Sequence, residues 1–180
     1  MRLFLAINFD DDVRDKLTQT QDRLRKNVLR GNFTLRENLH MTLVFFGEGF
    51  DRRLPNIRRV MDGIETPAFG LHIGSVGRFH RNGGDIWWAG GGENADLSRL
   101  HGEIRVGLDR EKLSPDVRLG AFTPHITLAR EVETDHDFDP AVFRREPEQI
   151  ETRVEKISLM KSERIRGKLV YTPVYEKLLR

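Results

Sequence analysis

Leu39-His40-Met41-Thr42-Leu43 and Pro124-His125-Ile126-Thr127-Leu128 are two copies of one pattern, His-x-Thr-Leu, each set inside an apolar run. In an extended strand successive side chains point to opposite faces. His40 and Thr42 therefore share one face while Met41 and Leu43 share the other, and the same holds for the second copy. Each strand offers an imidazole and a hydroxyl side by side with an apolar face behind them. With 6 His in 180 residues, two such copies arise in on the order of one shuffled sequence in a thousand, which points to a duplicated strand.

Composition narrows what the strands can serve. A chain of 180 residues is long enough to bury a sizeable core and reads as a single domain over residues 1–180, built of two lobes. Its 30 Lys+Arg against 28 Asp+Glu leave a formal charge of only +2. That is too little to coat nucleic acid by global charge, so any basic surface must be local. Cys is absent, which removes disulfides, thiolate catalysis and Cys-based metal sites. The opening Met1-Arg2-Leu3-Phe4-Leu5-Ala6-Ile7 is too short an apolar run for a signal peptide and soon meets Asp10-Asp11-Asp12. Nothing approaches the roughly 18 apolar residues of a membrane span. The expectation is a soluble, cytoplasmic monomer.

Outward from the motifs, Arg2 to Phe9 reads as a strand feeding a helix through the acidic cluster. That helix carries Val13, Leu17, Leu24 and Val28 on one face, with Gly31 as its stop. A second helix is carried by Leu54, Ile57, Val60, Met61 and Ile64, and a third by Leu97, Leu100, Ile104 and Leu108. Further strands are expected over Leu39–Phe46, Phe69–Phe79, Ile86–Ala89, His125–Arg130, Arg153–Met160 and Leu169–Leu178. Arg81-Asn82-Gly83-Gly84 joins two of them as a hairpin. The fold class is α+β: mostly antiparallel sheet with helices on its outer faces, bilobal, the two halves related by a pseudo-two-fold axis that sets the His-x-Thr strands across a central cleft.

Two imidazoles and two hydroxyls converging on one gap make a specific chemistry. An imidazole titrates near neutrality, so one ring can take a proton while the other gives one. The hydroxyls can donate to non-bridging oxygens of an anion such as phosphate. The arrangement suits metal-free cleavage of a phosphodiester. A metal site fits less well, since no carboxylate lies two or four places after either His. Neither a Gly-x-Ser-x-Gly elbow nor a nucleotide-binding glycine loop is present. His72, His80, His101 and His136 lack a Thr two places on and read as surface or boundary residues. Of Trp87-Trp88 one should be core and the other free to stack on a base, as should Phe46, which strict alternation puts on the His40 face. Lys161, Arg164, Arg166 and Lys168 surround Tyr171 in a charged hairpin that either steers RNA or is merely solvated.

The two motifs and their flanks resemble the two-histidine (2H) phosphoesterases, in particular the RNA 2′,3′-cyclic phosphodiesterase branch, historically called 2′-5′ RNA ligases. The likeness covers nearly the whole chain: Arg2-Leu3-Phe4-Leu5-Ala6-Ile7, Glu37 to Gly47, Phe122 to Arg130, Leu159-Met160-Lys161-Ser162, and the hairpin from Gly167 to Tyr171. It implies a bilobal α+β fold and hydrolysis of a terminal ribose 2′,3′-cyclic phosphate to a 2′-phosphate without metal or ATP, with ligation through a 2′-5′ bond as the reverse type of reaction. It also implies that His125 activates water and His40 protonates the departing 3′ oxygen, while Thr42 and Thr127 hold the phosphate. The residues alone leave the acid and the base unassigned. Arg130 completes the second motif as a phosphate contact, although alternation from His125 sets it on the opposite face unless a bulge re-aims it. The expected substrate contacts are thus Thr42, Thr127, Arg130, Phe46 and Tyr171, and the expected partners are RNA ends or nucleotides carrying a 2′,3′-cyclic phosphate. A 2′-5′ oligonucleotide or small cyclic nucleotide phosphodiesterase, and an RNA-end binding module, remain as alternatives.

Overall fold

The computed structural model describes residues 1–113, 122–145 and 147–180. Ten strands alternate irregularly with four helices: β1 (Arg2–Asn8), α1 (Asp11–Arg25), β2 (Val28–Phe33), β3 (His40–Gly47), α2 (Leu54–Asp62), β4 (Phe69–Ile73), β5 (Ser75–Phe79), β6 (Asp85–Gly90), α3 (Ala95–Arg110), β7 (Ile126–Thr134), α4 (Pro140–Phe143), β8 (Ile150–Val154), β9 (Lys156–Ile165) and β10 (Lys168–Leu178). Eight strands form one sheet in the order β10-β9-β1-β3-β7-β6-β5, with β2 also paired to β7, and β4 pairs β8 separately. Every pairing is antiparallel. The result is the expected α+β class. No described helix is long and apolar enough to cross a membrane.

The helices begin where side chains can satisfy their free amides. Asp10 Oδ1 accepts from Val13 N at 2.9 Å and Asn94 Oδ1 accepts from Leu97 N at 2.9 Å. Behind them the expected stripes are buried: Val13, Leu17 and Leu24 on α1, Ile57, Val60 and Met61 on α2, and Leu97, Leu100, Ile104 and Leu108 on α3. Helices α2 and α3 meet closely at Gly107, where a Cβ would stand 2.8 Å from Val60 Cγ1. These stripes, Leu24 excepted, and the inward faces of β1, β3, β4 and β9 form the main apolar cluster. A second cluster gathers Leu24, Val76, Trp87, Ala129, Val132 and Phe143 beneath β5, β6 and β7.

Three expected boundaries move. The first helix stops at Arg25, and Val28, expected on its face, starts a strand hydrogen-bonded to β7. Gly31 is no helix stop: it lies inside β2, where a Cβ would press on Val132 Cγ2 at 3.1 Å. One apolar residue beyond Leu24 fits a helix and a strand equally well, and pairing decides. The span Phe69–Phe79 is two strands in different sheets, because Phe69, Leu71 and Ile73 point inward but the next inward residue is Val76, an odd step that breaks the alternation at Gly74. The span Arg153–Met160 is broken likewise at Glu155, whose carbonyl accepts from Leu179 N at 2.8 Å. The hairpin through Arg81-Asn82-Gly83-Gly84 joins β5 and β6, with Gly84 at φ 108°.

The two motif strands touch at one residue pair, Met41 with Ile126. Each is the middle residue of its own His-x-Thr. An antiparallel pair has a local two-fold axis at its centre, so His40 is set beside Thr127 and Thr42 beside His125 across the join between β3 and β7.

Candidate active site

Each imidazole is held the same way. His40 Nδ1 lies 2.7 Å from the Asn38 carbonyl oxygen, and His125 Nδ1 lies 2.7 Å from the Thr123 carbonyl oxygen. A carbonyl only accepts, so Nδ1 carries the proton in both rings and Nε2 is the atom left for chemistry. His40 Nε2 stands 3.0 Å from Thr42 Oγ1. Asn38 is itself buried, and its Nδ2 donates to Leu169 O at 2.9 Å, which ties the His40 support to β10.

Both rings border one cavity of about 160 Å³, together with Thr42, Thr127, Arg130, Phe45 and Tyr171. Phe4, Thr34, Asn38 and Ser162 complete its wall, and none of the described residues that line it is a carboxylate. Positive and hydroxyl groups without a counter-anion make the space attractive to phosphate. Among the described residues no group of three His, Asp or Glu could hold a metal ion.

Arg130 reaches the site through a bulge. Trp87 pairs with Ala129 and Trp88 with Thr127, so Leu128 is skipped, and Leu128 and Ala129 both point into the core. The extra residue reverses the alternation and returns Arg130 to the face of Thr127; its Nη2 donates to Thr127 Oγ1 at 3.4 Å. The Leu128 carbonyl is held by Gln21 Nε2 at 2.8 Å and Thr34 N at 2.9 Å. Gln21, buried on α1, also donates to Thr34 O at 2.8 Å.

The first motif has the same bulge. Leu5 pairs with Val44 and Ala6 with Thr42, skipping Leu43, and Leu43 and Val44 are both buried. Phe46 is therefore turned into the core, 1 % exposed and packed on Phe50, and cannot meet a base as expected. Its neighbour Phe45 takes the place on the His40 face and borders the cavity, 48 % exposed. Phe45 and Arg130 each stand five residues after their His. The signal lay in the repeat itself, since Thr-Leu-Val-Phe and Thr-Leu-Ala-Arg align, but alternation without a bulge mis-assigns both.

The two rings differ in their surroundings. His40 is packed between Phe4, at 4.9 Å between ring centres, and Tyr171, at 5.2 Å and nearly perpendicular. Burial lowers its pKa below the ordinary imidazole value, opposed by the Asn38 hydrogen bond and helped by the nearby charges of Arg130 and His125. The same enclosure raises the Tyr171 phenol. His125 meets Phe79 at 5.3 Å and Trp88 at 6.4 Å. Trp87 is fully buried, whereas Trp88 shares the face of Thr127.

A wider space of about 510 Å³ adjoins the cavity at Phe45, Ser162 and Tyr171 and runs to Arg2 and Arg164. The other histidines stand apart: His72 faces Glu151, His80 faces Asp85, and His101 stacks on Phe122.

Residues 7–166 match the family model of the 2′-5′ RNA ligase superfamily. The chain belongs to this superfamily. An RNA 2′,3′-cyclic phosphodiesterase of Methanothermobacter thermautotrophicus is 31 % identical over 182 residues, 96 % of this chain and 95 % of that one. One from Thermus thermophilus is 31 % identical over 185 residues, 98 % and 89 % of the two chains. Among solved structures, E. coli LigT complexed with 3′-AMP superposes with TM-score 0.79 at 25 % identity, covering 99 % of this chain and 96 % of that chain. A Thermus thermophilus protein, TT0787, gives 0.77 at 28 %, covering 100 % and 98 %. The superfamily assignment and the fold agree with the reading of the duplicated motif.

Proposed function

We propose that this member of the 2′-5′ RNA ligase superfamily hydrolyses the 2′,3′-cyclic phosphate at an RNA end to a 2′-phosphate by general acid and base catalysis between its two histidines. The observation that carries the reading is the matched pair of imidazoles, each with Nδ1 given to a backbone carbonyl, on one carboxylate-free cavity. The names of the relatives, RNA 2′,3′-cyclic phosphodiesterase, supply the substrate.

In this mechanism neutral His125 takes a proton from water through Nε2 as the water oxygen attacks phosphorus. The bond from phosphorus to O3′ breaks, and O3′ receives the proton carried by His40 Nε2. The rings end with their protonation states exchanged and reset through solvent. The lowered pKa of His40 makes its imidazolium a stronger acid than an ordinary one, at the cost of a smaller protonated fraction at neutral pH. Thr42, Thr127 and Arg130 hold the non-bridging oxygens, where charge concentrates as water adds. Phe45 and Tyr171 flank the nucleoside on the His40 side, and the space leading to Arg164 leads the RNA away. The local two-fold at Met41 and Ile126 supports a duplication of the two halves. A ribose 5′-hydroxyl in place of water would give a 2′-5′ bond by the same steps.

The test is incubation with adenosine 2′,3′-cyclic phosphate and with RNA bearing the same end, in EDTA, with the products separated. Adenosine 2′-phosphate and RNA 2′-phosphate are expected. Release of the 3′-phosphate isomer, activity abolished by EDTA, or binding without turnover would overturn the reading, the last leaving an RNA-end binding module.

A further inference from the structure

The proposed hydrolysis accounts for the aromatic wall on the His40 side and leaves a second one unused. Across the cavity, β5 and β6 present Phe79 and Trp88 on the face of Thr127, their rings 5.5 Å apart and inclined by 33°. Phe79 meets His125 edge to face, their rings inclined by 86°. The wall is built around a glycine: the Trp88 indole lies over Gly77, where a Cβ would be 2.1 Å from Cζ2. Trp88 Nε1 is buried and meets no acceptor among the described residues. What half-buried Trp88 offers the solvent is ring surface and not its polar edge, a surface suited to stacking.

We propose that Phe79 and Trp88 form a second base-binding subsite, which takes the nucleoside lying on the opposite side of phosphorus from the departing 3′ oxygen. This rests on the cyclic phosphodiesterase reading of the histidine pair. Phosphoryl transfer places the attacking and leaving oxygens roughly in line. A 2′,3′-cyclic nucleotide carries one base, and that base follows its own O3′ to the His40 side. Water, attacking beside His125, has no ring to stack. An aromatic platform beyond His125 is therefore superfluous for hydrolysis and matched to a nucleoside alcohol that replaces water, or to the same nucleoside leaving when a 2′-5′ phosphodiester is cleaved. A phosphate-sized gap flanked by two platforms fits two nucleosides joined through one phosphate.

The experiment compares a one-base probe, adenosine 2′-phosphate, with a two-base probe, 2′-5′-linked diadenosine monophosphate. The chain has 2 Trp, so Trp87→Phe leaves Trp88 as the sole reporter. The two-base probe should quench its emission and the one-base probe should not. By direct calorimetry Trp88→Ala should weaken the two-base probe roughly 5- to 150-fold, the range of one lost base stack, and the one-base probe less than twofold, with Trp88→Phe restoring most of the difference. Equal weakening of both probes, weakening of neither, or quenching by both alike would overturn the second subsite. If the wild type fails to hydrolyse adenosine 2′,3′-cyclic phosphate, the proposed function falls, while the probe comparison still decides the subsite.

Discussion

Strands β3 and β7 carry the same local device in different settings. In both, Nδ1 of the histidine bonds the carbonyl two residues back at 2.7 Å, and in both the leucine after the threonine bulges so that the residue five places after the histidine returns to the site. The surroundings then separate them. On β3 that residue is Phe45 and the ring is enclosed by Phe4 and Tyr171; on β7 it is Arg130 and the ring lies against Phe79. Backbone geometry repeats the imidazole and hydroxyl, and the neighbouring strands give the two copies different surroundings.

The sharpest break would come at the imidazoles. In the proposed mechanism each has its own proton to move, so His40→Ala and His125→Ala should each lower kcat on a cyclic nucleotide by roughly 10²- to 10⁴-fold with circular dichroism unchanged. A histidine whose loss leaves near-full turnover would reduce the pair to one active copy.

The bulge positions should fail differently. Arg130→Met removes a charge-assisted contact of about 1.5–3 kcal/mol, so kcat/KM should drop roughly ten- to a hundredfold. Phe45→Ala removes a stacking face and should act mainly on KM, by several-fold to about a hundredfold. Equal effects on kcat from both would mean that the bulges do not divide the work. Gln21→Leu takes the Gln21 donor from the Thr34 carbonyl and leaves the Leu128 carbonyl with Thr34 N alone, which should cost about 1–3 kcal/mol of stability, read as a lower denaturation midpoint. It should also lose part of the Arg130 contribution, so that Gln21→Leu combined with Arg130→Met is less than additive in kcat/KM.

The smallest expected effect is a shift in pH. His40 must be protonated to serve as the acid, and burial depresses its pKa. Followed by NMR, the His40 ring should therefore titrate below the ordinary imidazole range. Arg130→Gln removes one of the charges that disfavour the imidazolium, so this titration should move to higher pH even as the rate falls. A titration that moves down, or stays, would contradict an Arg130 charge felt at His40.

Most of this was legible where the signal was local and periodic. The stripes of α2 and α3 and the motif strands follow from spacing, because each buries one face against the sheet. Phe46 and the span Phe69–Phe79 differ from expectation for one reason: a single inserted or skipped residue reverses a period of two, and only strand pairing reveals it; Val28 differs because one apolar residue past a helix fits a strand equally well. Arg130, expected at the site only if a bulge re-aimed it, is returned there by the same device. The roles of Gln21, Asn38 and Phe79 depend on partners 107, 131 and 46 positions away, beyond the reach of any sequence window.

Whether the two copies share one phosphate is best read by nitrogen NMR of histidine-labelled protein titrated with adenosine 2′-phosphate, His40 and His125 being assigned from their single variants. Nε2 of both rings should shift together, saturating with one Kd at one ligand per chain. A response confined to one ring, or two separate binding curves, would contradict a single site shared by the two strands.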